Sequence, residues 1–244
     1  MKTGEKYYVI ACHVLWRELC HFGSFSPNTL TFHFLKQGLH TTPDLLRQKL
    51  QEAIDAVPED ECYTAVLVAY GLCCNGIEGI FARNTRLVFM RGHDCITFLL
   101  GSKERYREIA EKSPGTYWYS PGWIETGFTP GKENYETMLR SYTEKYGEDN
   151  ALYLMETEQG WLKNYSTAAY VNLGFCDYLG YREYTRECAD WLGLHYEELE
   201  GNPQLITNFL EGRWDPENFL IVEPGEQVAA THDEKVITTK NIGV

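Results

Sequence analysis

Apolar positions along this chain gather into short continuous runs, separated by stretches whose apolar residues recur at helical spacing. Residues 7–11 (YYVIA), 63–70 (YTAVLVAY) and 87–90 (LVFM) are unbroken runs rich in aromatic and β-branched side chains. Runs of that length and makeup suit strands buried on both faces. Residues 30–35 (LTFHFL) alternate, which also predicts a strand. Between them, residues 14–22 read as a short helix. Thr42-Pro43-Asp44 reads as a helix start, with a Thr cap, a proline in the first turn and an early acid. Leu45, Leu46, Leu50, Ala53, Ile54 and Val57 continue that helix on one face. Residues 96–100 read as an apolar turn and 102–112 as an amphipathic helix.

Residues 114–131 interrupt the pattern with three Pro and four Gly, and are read as a loop or lobe boundary carrying Tyr117, Trp118, Tyr119 and Trp123. Beyond it the predicted elements are a helix at 134–146, a strand at 151–155 (ALYLM), helices at 161–173 and 181–192, and a short strand at 195–199. A helix at 203–210 and a last strand at 219–222 follow, and 233–244 read as a polar, mobile tail. Strand–helix alternation with short loops predicts an α/β fold with a Rossmann-like, mostly parallel sheet. The expected division is into two α/β lobes, residues 1–125 and 126–244, with the site at the carboxyl ends of the strands.

The charge balance narrows the partners. Lys and Arg number 22 against 35 Asp and Glu, a formal charge of −13, which argues against a nucleic-acid partner because phosphate binding needs a basic face. No apolar stretch approaches the roughly 18 residues that span a bilayer, so no membrane partner is expected. The N-terminal apolar run is short and soon followed by Arg17 and Glu18. It reads as a first strand rather than a leader, and a cytoplasmic location is expected. In that compartment thiols stay reduced, so grouped cysteines point to metal or reactive chemistry rather than disulfides.

Eight Cys are more than packing requires. Three fall where ligands bind in doubly wound sheets, just beyond strand ends: Cys12 after the first strand, Cys73 after the third and Cys95 after the fourth. A single such Cys reads as a small buried hydrophobe. Three on one predicted rim read as a metal site, because thiolates are preferred ligands of zinc and of iron–sulfur clusters. A three-ligand site keeps a position open for substrate. The expected cofactor is zinc, with a 4Fe-4S cluster as the alternative. Cys74 is ambiguous, and Cys20, Cys62, Cys176 and Cys188 read as packing residues. His93 is a candidate fourth ligand or acid–base group. Asp94 either orients His93 in catalysis or caps a helix beginning at Cys95. His33, His40, His195 and His232 carry no supporting pattern. Tyr117, Trp118 and Trp123 are candidate binding residues, because aromatic faces attract methylated ammonium groups. The same rings also suit packing between lobes. Signatures of nucleotide-binding loops, serine hydrolases and zincins are absent from the sequence.

At these residues the chain resembles the family catalogued as domain of unknown function 1638. The shared positions include Ile10-Ala11-Cys12, Gln37-Gly38-Leu39-His40, Tyr70-Gly71-Leu72-Cys73 with Asn75-Gly76, His93-Asp94-Cys95-Ile96-Thr97, and Pro114-Gly115-Thr116-Tyr117-Trp118 with Pro121-Gly122-Trp123. The resemblance covers nearly the whole chain and implies Cys at positions 12, 73 and 95. Position 74 is usually small in that family, so Cys74 departs from it. The resemblance further implies an association with corrinoid-dependent methyltransferases. From it follow the expectations of a zinc-thiolate enzyme of one-carbon metabolism acting on a small substrate such as a methylated amine. An accessory protein docking on a methyltransferase or corrinoid protein is the non-catalytic alternative.

Overall fold

A computed structural model describes residues 4–241. Its residues fall into two units by contact, one running to Tyr106 and resuming at Asn202, the other Arg107–Gly201. The expected boundary at 125/126 supposes a single cut, whereas here the chain returns to the first unit for its last segment.

The first unit opens with β1 (Lys6–Cys12), a 3-10 turn at His13–Leu15, α1 (Trp16–Gly23) and β2 (Thr29–Leu35). A 3-10 turn at Leu39–Thr41, α2 (Pro43–Asp55), β3 (Ala65–Ala69), β4 (Leu87–Met90) and α3 (Cys95–Leu100) follow, and α4 (Lys103–Lys112) runs across the division at Tyr106. The second unit holds β5 (Thr116–Tyr119), α5 (Pro121–Thr126), α6 (Lys132–Tyr146), α7 (Glu148–Glu158), β6 (Thr167–Asn172), α8 (Tyr181–Leu192) and β7 (His195–Glu200). The chain then completes the first unit with α9 (Gln204–Glu211), β8 (Phe219–Val222) and the hairpin β9 (Glu226–Ala230) and β10 (Ile237–Asn241).

The first unit is built on a five-stranded sheet of order β2-β1-β3-β4-β8. β1 pairs parallel with β2 and β3, β3 pairs parallel with β4, and only β8 runs antiparallel, against β4. This is the Rossmann-like, mostly parallel α/β architecture expected. Every residue of β3 and β4 is buried, which is why those runs show no alternation. One core packs Leu46, Leu50, Ala53 and Ile54 of α2 against Ile10, Val66, Val68 and Phe89 of the sheet. Those α2 residues are the helical stripe seen in the sequence. In the second unit, β5, β6 and β7 form a parallel three-stranded sheet. Its core gathers Tyr119, Ala168, Tyr170, Cys188 and Ala189.

Several elements differ from the sequence-based expectation. Residues 151–155 lie inside α7, not in a strand. Ala, Leu and Met are strong helix formers, and a five-residue apolar run does not separate strand from buried helix. Residues 161–173 are not a helix but a 3-10 turn at Gly160–Asn164 followed by β6, whose Thr, Tyr and Val favour a strand. The stretch at 114–131 contains β5 and α5, the latter capped by Ser120 Oγ accepting from Trp123 N at 3.3 Å. Residues 96–100 belong to the helix α3, and Thr42 makes no side-chain cap to α2. Of the expected tail, 237–241 form β10, while 242–244 lie outside the described residues. The buried Arg91 explains that order: its guanidinium donates to the carbonyls of Pro216, Phe219, Lys235 and Ile237. Among the described residues, no helix is long and apolar enough to cross a membrane.

Candidate thiol site at the sheet rim

Strand order places the site. From β1 the chain moves to β2 on one side and later to β3 on the other, so the connections leaving β1 and β3 diverge. Such a switch point opens a crevice beyond the carboxyl ends of the two strands. Ala11 pairs with Ala69, so Cys12, the last residue of β1, stands level with Tyr70 just past β3. Side chains alternate along a strand. Cys12 and Tyr70 therefore continue the row of Ile10 and Val68 and emerge at the top of the α2-covered core.

The next loop extends the pairing of β3 with β4 past both strand ends. Leu72 N donates to Gly92 O at 2.9 Å and Cys73 N to His93 O at 2.8 Å. Gly71 permits this approach, since a Cβ there would stand 2.7 Å from Asp94 Cα and 2.8 Å from its nitrogen. Three consecutive residues then take the left-handed conformation: Cys73 (φ 45°), Cys74 (φ 55°) and Asn75 (φ 66°). For residues other than glycine this costs about 1–2 kcal/mol each, Asn paying least. Strain of that kind persists only where surrounding structure enforces it, and it concentrates at functional sites. Gly76 N closes the turn on Cys73 O at 3.0 Å.

Asp94 and Cys95 begin α3. Asp94 Oδ1 accepts from Ile96 N at 3.0 Å and Thr97 N at 3.3 Å, which is the helix-cap reading of this residue. Its other oxygen accepts from the Tyr106 hydroxyl at 2.9 Å. Residues Cys12, Cys73 and Cys95 are each of intermediate exposure, and Cys74 and His93 are exposed.

The electrostatics tie the cysteines together. Burial, and after it Asp94 and Cys12, push the Cys73 thiol up to about 12. Burial, then Asp94, Cys12 and Cys73, hold the Cys95 thiol well above its ordinary value. Burial also raises Cys12, opposed by the Val14 amide. Burial raises Asp94, with the Tyr106 hydroxyl, the cap amides and His93 working against it. The three predicted cysteines thus share one electrostatic neighbourhood. Burial and the negative groups around them hold their protons tightly. Tyr70 faces the same three thiols. Its hydroxyl is buried without a partner in hydrogen-bond geometry among the described residues, although the Cys12 sulfur lies beside it. Among the described residues, no three His, Cys, Asp or Glu side chains converge on a common point at ligand distance. Each sulfur swings on one side-chain torsion, so closing the set on an ion calls for χ1 rotations.

Sequence reasoning missed three residues here. Tyr70 reads as a strand end and as part of the stretch shared with the family, with no role in the site. His40 follows Gly38 (φ 95°) just past β2, near enough to Asp94 for that carboxylate to oppose the lowering of its pKa by burial. Its position one loop beyond a parallel strand was the available signal. Tyr106 was hidden in the amphipathic pattern of α4. Of the cysteines read as packing, Cys176 and Cys188 are buried, but Cys20 and Cys62 are exposed. Tyr117 and Trp118 lie in β5 and Trp123 in α5, all half-buried within the second unit. There Trp123 Nε1 donates to the Tyr117 hydroxyl at 3.3 Å, and the Tyr117 ring packs on Tyr119, Trp161 and Tyr165.

A family model described as "Protein of unknown function (DUF1638)" matches residues 34–210. No curated protein and no solved structure matches the chain.

Proposed function

Because the chain belongs to the DUF1638 family, described only as of unknown function, its role is read from the rim itself, and we propose that Cys12, Cys73 and Cys95 hold a metal ion that activates a small substrate. The observation that carries this reading is geometric: Cys12, Cys73 and Cys95 stand at the ends of three neighbouring parallel strands, close enough that Cys12 and Asp94 act on the other two thiols. A cation in their midst relieves the cost that keeps each of them protonated. Zinc is the metal proposed: three thiolates leave a fourth position for a ligand, where zinc acts as a Lewis acid or presents a bound nucleophile. In this reading Asp94 fixes the start of α3 and so the position of Cys95. The buried Tyr70 hydroxyl supplies a hydrogen bond to whatever occupies the open position, and the exposed His93 moves a proton to or from solvent. A 4Fe-4S cluster with one open iron is the second reading, favoured by a donor set of three thiols without a fourth.

The setting we propose is corrinoid-linked one-carbon metabolism. The substrate class would be a methylated amine and the partner a methyltransferase or corrinoid protein. Support for that extension is the family resemblance, joined to the use of thiolate-bound metals to activate nucleophiles.

Metal analysis of the anaerobically purified chain tests the site. The expected result is about one equivalent of zinc, lost in Cys12→Ser, Cys73→Ser and Cys95→Ser but kept in Cys188→Ser. A brown protein carrying iron and sulfide would replace zinc with the cluster. A colourless protein with only traces of either metal, folded and stable to chelators, would overturn both.

A further inference from the structure

The second unit contains a cleft of about 200 Å³ whose chemistry differs from that of the thiol rim. It is bordered by Phe128, Tyr135, Trp161 and Trp191, with Met138 beside them and Glu158 as its one charged residue among the described residues. Among the described residues, neither Lys nor Arg lines it. Phe128, Trp161 and Trp191 are 51%, 42% and 41% exposed, so three large rings are left in solvent around one small opening. Single exposed aromatics need no explanation, but several gathered at a concavity mark a binding surface.

Neighbours hold these rings in place. Tyr135 packs on Trp191 with centroids 5.2 Å apart, and Trp161 meets Tyr165 edge to face at 5.4 Å. Glu158 is also positioned, its carboxylate accepting from the Tyr142 hydroxyl at 2.7 Å. The surrounding unit, Arg107–Gly201, has 8 Lys and Arg against 17 Asp and Glu, so its field favours positive ligands.

We propose that this cleft binds a small organic cation of the quaternary ammonium class, its methyl groups against the ring faces and its charge toward Glu158. Aromatic faces attract such cations through the ring quadrupole, and a nearby carboxylate adds to the attraction. A metal ion would find a single carboxylate among apolar rings, a poor donor set. An uncharged apolar ligand would gain nothing from Glu158. The volume is below the roughly 300 Å³ at which pockets for drug-sized ligands begin, which suits a headgroup rather than a large molecule. This inference does not rest on the thiol site, since its residues all lie within the second unit.

Choline and its uncharged isostere 3,3-dimethylbutan-1-ol differ only by nitrogen in place of carbon at the branched centre. Calorimetric titration of each into the full chain separates charge from shape. Choline is expected to bind saturably and at least about tenfold more tightly than the isostere. Glu158→Gln, at an exposed position, should shrink that ratio severalfold with the circular dichroism spectrum unchanged. Trp161→Leu should abolish most choline binding. The proposal is overturned if choline does not bind saturably, if both ligands bind equally, or if Glu158→Gln leaves the ratio untouched. Repeating the choline titration on Cys12→Ser separates the two sites: unchanged affinity is expected whether or not that variant has lost metal.

Discussion

The two units of this chain spend their residues differently. The first devotes β3 and β4 wholly to burial and covers one sheet face with the apolar stripe of α2. The metal site proposed for it lies on one rim of polar loops. The second builds a smaller sheet, and its longest helix, α6, has no buried residue. Among the described residues it carries seven of the nine exposed large hydrophobics and most of the net negative charge. A unit with a saturated core can enforce strain, and the left-handed run at Cys73–Asn75 is where that capacity is used. A unit with a thin core leaves its aromatic side chains on the surface, where they are available to a ligand.

The contrast in cores is the first thing to break. Phe89 is fully buried in β4, and Phe89→Ala should cost about 3–5 kcal/mol in urea unfolding. Leu139→Ala, at a half-buried position of α6, should cost about 1 kcal/mol or less. Similar losses at the two positions would mean that the second unit leans on α6 as heavily as the first leans on its sheet.

A second test sharpens what the first unit's rim asks for. The Cys73 thiol is raised from its ordinary value of 9.0 to about 12, chiefly by burial. In the metal-free folded chain it therefore keeps its proton through a pH range where the unfolded chain releases it. The unfolded state binds fewer protons there, so stability falls as pH rises from about 9 toward 12. The fall measured by urea titration should flatten in Cys73→Ala. If the thiols hold a metal, it should also flatten in the loaded protein, whose ligands are already deprotonated, and metal uptake near neutral pH should release protons. A slope that Cys73→Ala leaves unchanged would assign the loss to other groups.

The same contrast governs how much the sequence disclosed. In the first unit buried runs and a helical stripe were legible, and β4 and β8 were read to the residue, because burial on both faces leaves an unmistakable apolar run. That Cys12, Cys73 and Cys95 stand at or just past strand ends was legible because the strands themselves were. His40 and Tyr106 were not, because their approach to Asp94 comes from tertiary placement that no local spacing encodes. In the second unit the strand expected at 151–155 and the helix expected at 161–173 exchanged identities. A thin core imposes weak periodicity, and propensity then decides: Ala, Leu and Met toward α7, Thr, Tyr and Val toward β6. The hairpin of β9 and β10 was missed because its order comes from non-local contacts, among them Val228 N donating to Ile80 O at 2.8 Å.

The smallest expected effect concerns Cys74, the residue after Cys73 in the left-handed run. It is exposed and left-handed at φ 55°, so its side chain contributes strain and little packing. Glycine removes the Cβ clash but adds freedom to the unfolded chain, and the first effect is the larger at a position already in that region. Cys74→Gly should therefore raise stability by about 0.5–1 kcal/mol in urea unfolding and leave the metal content of the chain unchanged. A loss of metal would make Cys74 a ligand and shift the site toward the loop tip. A loss of stability would mean that the left-handed run is held by contacts of the Cys74 side chain, and the strain would then belong to the cysteine itself rather than to the packing of Gly71 against Asp94.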